Sequence, residues 1–136
     1  MGEEEQLRTP EGARPFDRDD ILRGIQAPEQ LLELGFSEAA LLLAWSSLEA
    51  TVRLLAMEED IVLDRLDPLY ILNQAVMYGV ISRDEYNFLM KVLKYRNALA
   101  HGFKTVDFDR ALVQELISTT QHLLQEALLD ELENGK

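Results

Sequence analysis

The chain has 136 residues, 47% of them hydrophobic and 28% charged, which is the composition of a single globular domain. A formal net charge of −12 argues against a broad nucleic-acid-binding surface, and the absence of cysteine excludes disulfides, thiolate nucleophiles and cysteine-bound zinc. No apolar run reaches the ~20 residues that span a membrane and the N-terminus has no secretory signal, so we expect a cytoplasmic protein without membrane contact.

The N-terminal residues predict a tail followed by one helical domain. Residues 1–15 are rich in glutamate, proline and glycine and carry few apolar side chains, so we expect a disordered acidic tail. Residues 16–136 are expected to form the domain. Its first elements are two short helices, one at Asp19–Arg23, which Gly24 ends, and one at Pro28–Leu34.

Four longer helices follow, each with a start signal and with apolar residues at helical spacing. Ser82 and Glu85 are spaced as a capping box, and Asp67 is an N-cap residue that a proline follows. No segment alternates convincingly with the period of a strand. The sequence therefore predicts an all-α, antiparallel four-helix bundle with short extra N-terminal helices. The predicted spans are Ser37–Glu59, Asp67–Gly79, Ser82–Gly102 and Asp107–Glu133.

The first long helix is more apolar than a four-helix bundle of one chain requires. About three apolar positions in seven suffice for a helix that packs on one side, and Leu41–Met57 exceeds that share. The surplus favours a second buried surface, most simply a twofold homodimer interface. A first helix at the centre of its own bundle would explain the same pattern.

Charge is distributed unevenly along the chain. Residues 1–20 and 107–136 hold seven acids each, whereas Tyr86–Val106 holds none and is the longest acid-free stretch. We expect an anion to bind here if it binds anywhere. The alternative is that cations simply favour the C-terminal half of a helix, where the macrodipole attracts them. The cations of the stretch are Lys91, Lys94, Arg96 and Lys104.

The end of the third long helix combines side chains that could do chemistry. Lys94, Asn97 and His101 fall at i, i+3 and i+7 and share one face, which the long stem of Arg96 can reach. An imidazole exchanges protons near neutral pH, and a guanidinium fork matches a phosphate. The set could cleave a phosphodiester without a metal, with the ribose 2′-hydroxyl attacking and arginine stabilising the charge. It could also only bind a phosphate, or be structural, as a helix cap and an ion pair.

Two further residues belong to the predicted site. Lys104 follows the helix and is, with Lys94, a candidate for substrate binding. Glu49 lies at the edge of the apolar face of the first long helix and is either in a surface ion pair with Arg53 or an acid that supports the arginine and histidine of the site. Because the chain has only two histidines and no carboxylates spaced around them, we expect neither a metal site nor a cofactor.

The segment Arg96–His101, with the sequence R-N-A-L-A-H, resembles the R-x4-H signature of the HEPN superfamily. In that family, asparagine after the arginine and glycine after the histidine are frequent, and the motif lies near the end of the helix before the last. The likeness extends over about Ser37–Leu129 and is specific across Tyr95–Phe103. It implies an all-α bundle and a homodimer in which two motifs face each other across a cleft.

The resemblance also implies function. Many family members are metal-independent ribonucleases, often toxins or defence components, in which the residues matching Arg96 and His101 are catalytic and the one matching Asn97 supports them. Other members are non-catalytic modules, so the alternative is a dimerisation module that binds a nucleotide or a protein partner. Toxins paired with a nucleotidyltransferase antitoxin usually carry a modified tyrosine where this chain has Phe103. That side chain cannot accept a nucleotide, which puts neutralisation by this route in doubt and leaves another antitoxin-type partner.

Overall fold

The structure, a computed structural model, describes residues 9–106 and 108–133, except for the side chains of residues 130 and 131. The described residues form helices joined by turns and loops, and none of them lies in a β-strand. The all-α prediction is confirmed. The helices are α1 (Arg18–Gly24), α2 (Gln26–Glu33), α3 (Ser37–Glu58), α4 (Pro68–Met77), α5 (Arg83–Ala100) and α6 (Arg110–Glu133).

Two helices begin with the caps that the sequence predicts. Asp67 accepts a hydrogen bond from the Leu69 N–H at 3.1 Å, and Pro68 is the first residue of α4. At α5, the Ser82 hydroxyl accepts from the Glu85 N–H at 3.0 Å, and the Glu85 carboxylate accepts from the Ser82 N–H at 2.7 Å. These bonds satisfy backbone donors that a first helical turn leaves unpaired. Both predicted caps are confirmed.

Other helix starts differ from the prediction. The N-cap of α3 is Phe36, which makes no side-chain cap, and Ser37 is the first helical residue. Helix α2 begins two residues before Pro28, whose missing N–H is tolerated in a first turn. The predicted start of the last helix, Asp107, lies outside the described residues, and α6 begins at Arg110.

α3 is the central helix of the fold. It packs against each of the other described helices, most extensively against α6 and α2. The apolar surplus of Leu41–Met57 therefore serves largely the core of one chain, the second explanation that the sequence left open, and by itself it no longer argues for a homodimer. The most buried apolar residues of α3 are Ala40, Leu41, Ala44, Trp45, Leu48, Val52 and Ala56.

The same helix is long and apolar enough to cross a membrane. The 22 residues of α3 meet that criterion by length and composition alone, contrary to the expectation from the sequence. Half of the most apolar window is buried inside the fold. A water-soluble domain hides its core helix in this way, so the fold is compatible with a soluble protein.

The predicted tail falls partly outside the described residues, which begin at Thr9. Residues 9–15 contain no helix and are exposed, with one turn closed by a bond from the Ala13 N–H to the Pro10 carbonyl at 3.1 Å. They lie beside the outward face of α3, and a cavity of about 330 Å³ separates the two. The N-terminal segment therefore approaches the helix that carries Glu49.

Candidate functional site

Helix α5 ends in a fixed turn that presents His101. His101 is the C-cap, and Gly102 follows with φ of +84°, in the left-handed region that glycine adopts without a steric penalty. The Gly102 N–H donates to the Leu99 carbonyl at 3.1 Å, and the Phe103 N–H donates to the Ala98 carbonyl at 2.9 Å. This pair of bonds is a Schellman motif, which fixes the direction of the chain after the helix.

The motif arginine is oriented by its neighbour. Nη1 of Arg96 donates to Oδ1 of Asn97 at 2.9 Å. The Arg96 side chain is half-buried, whereas Asn97 is exposed. The other donors of the guanidinium make no hydrogen bond to the described residues, so they are available to a ligand.

Glu49, on α3, lies within electrostatic range of this arginine. Burial raises the pKa of Glu49 above the ordinary glutamate value, while the Trp45 indole and the positive charges of Arg96 and Arg53 oppose the rise. Oε1 of Glu49 and Nε1 of Trp45 are both buried without a hydrogen bond of good geometry. We therefore regard the indole as a nearby dipole, and the two arginines as the charges that compensate the carboxylate.

Two charged residues act on the carboxylate of Glu49. Arg53, the i,i+4 neighbour that the sequence indicated, is half-buried and lowers the pKa of Glu49 as a nearby positive charge. Asp67, the N-cap of α4, raises the pKa of Glu49 by repulsion between like charges. No sequence signal places Asp67 here, because its proximity depends on how α4 packs against α3.

The remaining predicted residues lie around the end of α5. His101 is exposed, and the described residues offer its imidazole no hydrogen bond. Lys94 and Lys104 are exposed as well, one on α5 and one just beyond it. The structure thus brings Arg96 and Asn97 into contact, with Glu49 in electrostatic range, and leaves the two lysines free of ion pairs with the described residues.

This helix end offers an anion a positive charge and presents an imidazole to solvent. A guanidinium with free donors attracts a phosphate, and the imidazole of His101, five residues further along the chain, is exposed. The half-buried carboxylate of Glu49 lies within electrostatic range of that positive charge. These are the parts that acid–base cleavage of a phosphodiester requires.

Other concave surfaces lie away from this site. A cavity of about 560 Å³ between α1 and α6 is lined by Leu22, His122 and Leu128, and by none of the predicted site residues. Glu49 lines the cavity beside the N-terminal segment. Across residues 9–106 and 108–133, no three histidine, aspartate or glutamate side chains are grouped to hold a metal ion.

No family model matches this chain, and comparisons with the curated proteins and with the solved structures find no match. Its function is therefore inferred from its own residues and from the short motif at the end of α5.

Proposed function

We propose that the chain is a metal-independent endoribonuclease of the HEPN type that cleaves single-stranded RNA at a cleft between two copies in the cytoplasm. In this proposal α3, α4, α5 and α6 form the antiparallel four-helix bundle of that family. One observation carries it: the Arg96 guanidinium donates to Oδ1 of Asn97 at 2.9 Å, five residues before an exposed His101.

The proposed reaction needs no group beyond RNA and these side chains. The ribose 2′-oxygen attacks the adjacent phosphorus and loses its proton to His101 of one copy. The bond from phosphorus to the 5′-oxygen breaks, and that oxygen takes a proton from the second imidazole of the dimer. Arg96 stabilises the charge that develops on the phosphoryl oxygens. The products are a 2′,3′-cyclic phosphate and a 5′-hydroxyl.

The overall charge sets a condition on this reaction. A net charge of −12 repels a polyanion at long range, but this repulsion is screened beyond about 10 Å at ordinary salt. The acid-free stretch Tyr86–Val106, which contains the motif, supplies cations to the site. At low salt, RNA binding should therefore be weaker than that of a nuclease with a basic surface. It should also depend less on the salt concentration.

The test is incubation of the purified protein with single-stranded RNA in the presence of EDTA. We expect cleavage that His101→Ala abolishes. His122→Ala is the matched control, because His122 is an exposed histidine of α6 that pairs with Glu126 at 3.0 Å and lies outside the site. Cleavage that persists in His101→Ala would mean that a contaminating nuclease, rather than this site, cuts the RNA.

The resemblance further supports a toxin or defence role with an antitoxin-type protein partner. Such a partner would have to act by covering the site or the dimer surface, since Phe103 offers no hydroxyl for nucleotide transfer.

The second candidate is a non-catalytic module of the same family that dimerises and binds a nucleotide or a protein. The net charge of −12 favours it, because a protein partner is not repelled as RNA is. The two candidates differ in outcome: the module binds without releasing a cyclic phosphate.

A further inference from the structure

We propose that Phe103 is a stacking platform for an unpaired nucleobase, and that it confines the substrate to single-stranded RNA next to the phosphate that is cut. This inference rests on the proposed function and adds a binding residue to that site.

The Phe103 side chain is exposed at a position where backbone hydrogen bonds fix the chain. The side chain is 67% exposed, although a phenylalanine ring gains free energy by burial. The ring does not follow a frayed helix end, because the Schellman bonds of Gly102 and Phe103 fix the backbone that leads to it. Phe108, further along the same loop, packs its ring against Tyr95 with centroids 6.0 Å apart. Phe108 is thus half-buried against the core, whereas Phe103 is exposed.

The surroundings of the ring select the ligand. His101, two residues before Phe103, and Lys104, the residue after it, are both exposed. No acid occurs in Tyr86–Val106. A ligand for this place has an anionic group for the cations and a flat apolar face for the ring. A nucleotide has both, and only an unpaired one can offer its base to a side chain.

A second exposed phenylalanine lacks this setting. Phe36 is 59% exposed, close to the exposure of Phe103, but Glu33 and Glu38 flank it in the sequence. An acidic neighbourhood disfavours a phosphate, so Phe36 serves as the matched control for the loss of an exposed ring.

The experiment measures binding in a chain that cannot cut. His101→Ala is the parent, and the probe is a short fluorophore-labelled single-stranded RNA followed by fluorescence anisotropy. Adding Phe103→Ala should weaken binding by about five- to 150-fold, the range for loss of one base–aromatic stack. Adding Phe36→Ala should leave it unchanged. The same RNA annealed to its complement should bind the parent weakly and be indifferent to Phe103→Ala.

A second variant gives a direct signal. The only tryptophan of the chain, Trp45, is 2% exposed, so Phe103→Trp introduces the one exposed indole. Its fluorescence should be quenched by single-stranded RNA while binding is retained.

Three results would overturn the inference. If the parent and its Phe103→Ala form bind RNA equally while the wild type cleaves it, the stacking role is wrong and the proposed function stands. If neither the wild type nor the parent binds RNA, both the stacking role and the proposed function are wrong. If Phe103→Ala instead shifts the molar mass by light scattering, the ring belongs to a protein interface.

Discussion

The substitution Glu49→Gln removes the half-buried charge of α3 beside the candidate site, and its effect on stability at different pH values measures what that charge costs. Because burial raises the pKa of Glu49 above the ordinary value near 4.5, the folded chain holds this proton more tightly than the unfolded chain does. Stability from this group is therefore greatest below the unfolded pKa and falls as pH rises through the window up to the folded pKa. Glutamine keeps the shape and cannot ionise, so the variant should lose this part of the pH dependence.

The expected magnitude follows from the charge that glutamine lacks. Burial disfavours the ionised carboxylate, the charges of Arg96 and Arg53 offset part of this effect, and a pKa difference of one unit corresponds to about 1.4 kcal/mol. We expect Glu49→Gln to raise the free energy of unfolding by about 1 kcal/mol at neutral pH and to leave it unchanged near pH 4, where both side chains are neutral. Urea titrations at a series of pH values measure both.

The control is Glu38→Gln, which removes an exposed glutamate from the first turn of the same helix. It should change stability by about 0.5 kcal/mol or less, the scale of a surface charge near a helix end. If the free energy of unfolding of Glu49→Gln, plotted against pH, runs parallel to that of the wild type, burial does not perturb this carboxyl and the reasoning is wrong.

Other outcomes can be measured on the same preparations. Arg96→Lys should lower the rate of cleavage of single-stranded RNA about a hundredfold, because the charge remains but the bidentate fork does not. An unchanged rate would show that cleavage needs no bidentate contact from this arginine. Leu48→Ala, at a fully buried position of α3, should lower the unfolding free energy by about 3–5 kcal/mol, against roughly 1 kcal/mol for Leu43→Ala, which is 45% exposed. Equal losses would mean that the outward face of α3 is also buried, as in a dimer. Light scattering at micromolar concentration should give twice the 15.5 kDa mass of the chain, and a species of the single mass only would refute the proposed dimer.

The local part of the fold was predictable because its signals are local. Asp67, Ser82 and Glu85 cap their helices as the sequence indicates, since a cap needs only residues within one turn. The role of α3 was not decidable, because an apolar surplus has the same pattern whether a neighbouring helix or a second copy covers it. Only the arrangement of the other helices around α3 resolves that choice.

The candidate site divides in the same way. The spacing of Lys94, Asn97 and His101 placed them on one face near a helix end, and the long stem of Arg96 brings its guanidinium to Asn97, as the sequence suggested. The environment of Glu49 was beyond the sequence, because it depends first on how far the fold buries the carboxyl and then on Arg96 and Asp67, which approach it from other parts of the chain. Residues of one helix end can be grouped from spacing alone, whereas a pKa depends on every element packed around the group.

The position of Glu49 ties the stability of the fold to the proposed chemistry. One turn before it lies Trp45, and three residues after it lies Val52, both buried in the core of α3. A carboxylate with an unpaired oxygen at such a place opposes folding, and an uncharged side chain would be more stable there. If that carboxylate positions Arg96, Glu49→Gln should stabilise the chain and slow cleavage together, which is the opposition between stability and activity expected of a functional site. A variant that is stabilised and cleaves RNA at the wild-type rate would show that Arg96 needs only Asn97.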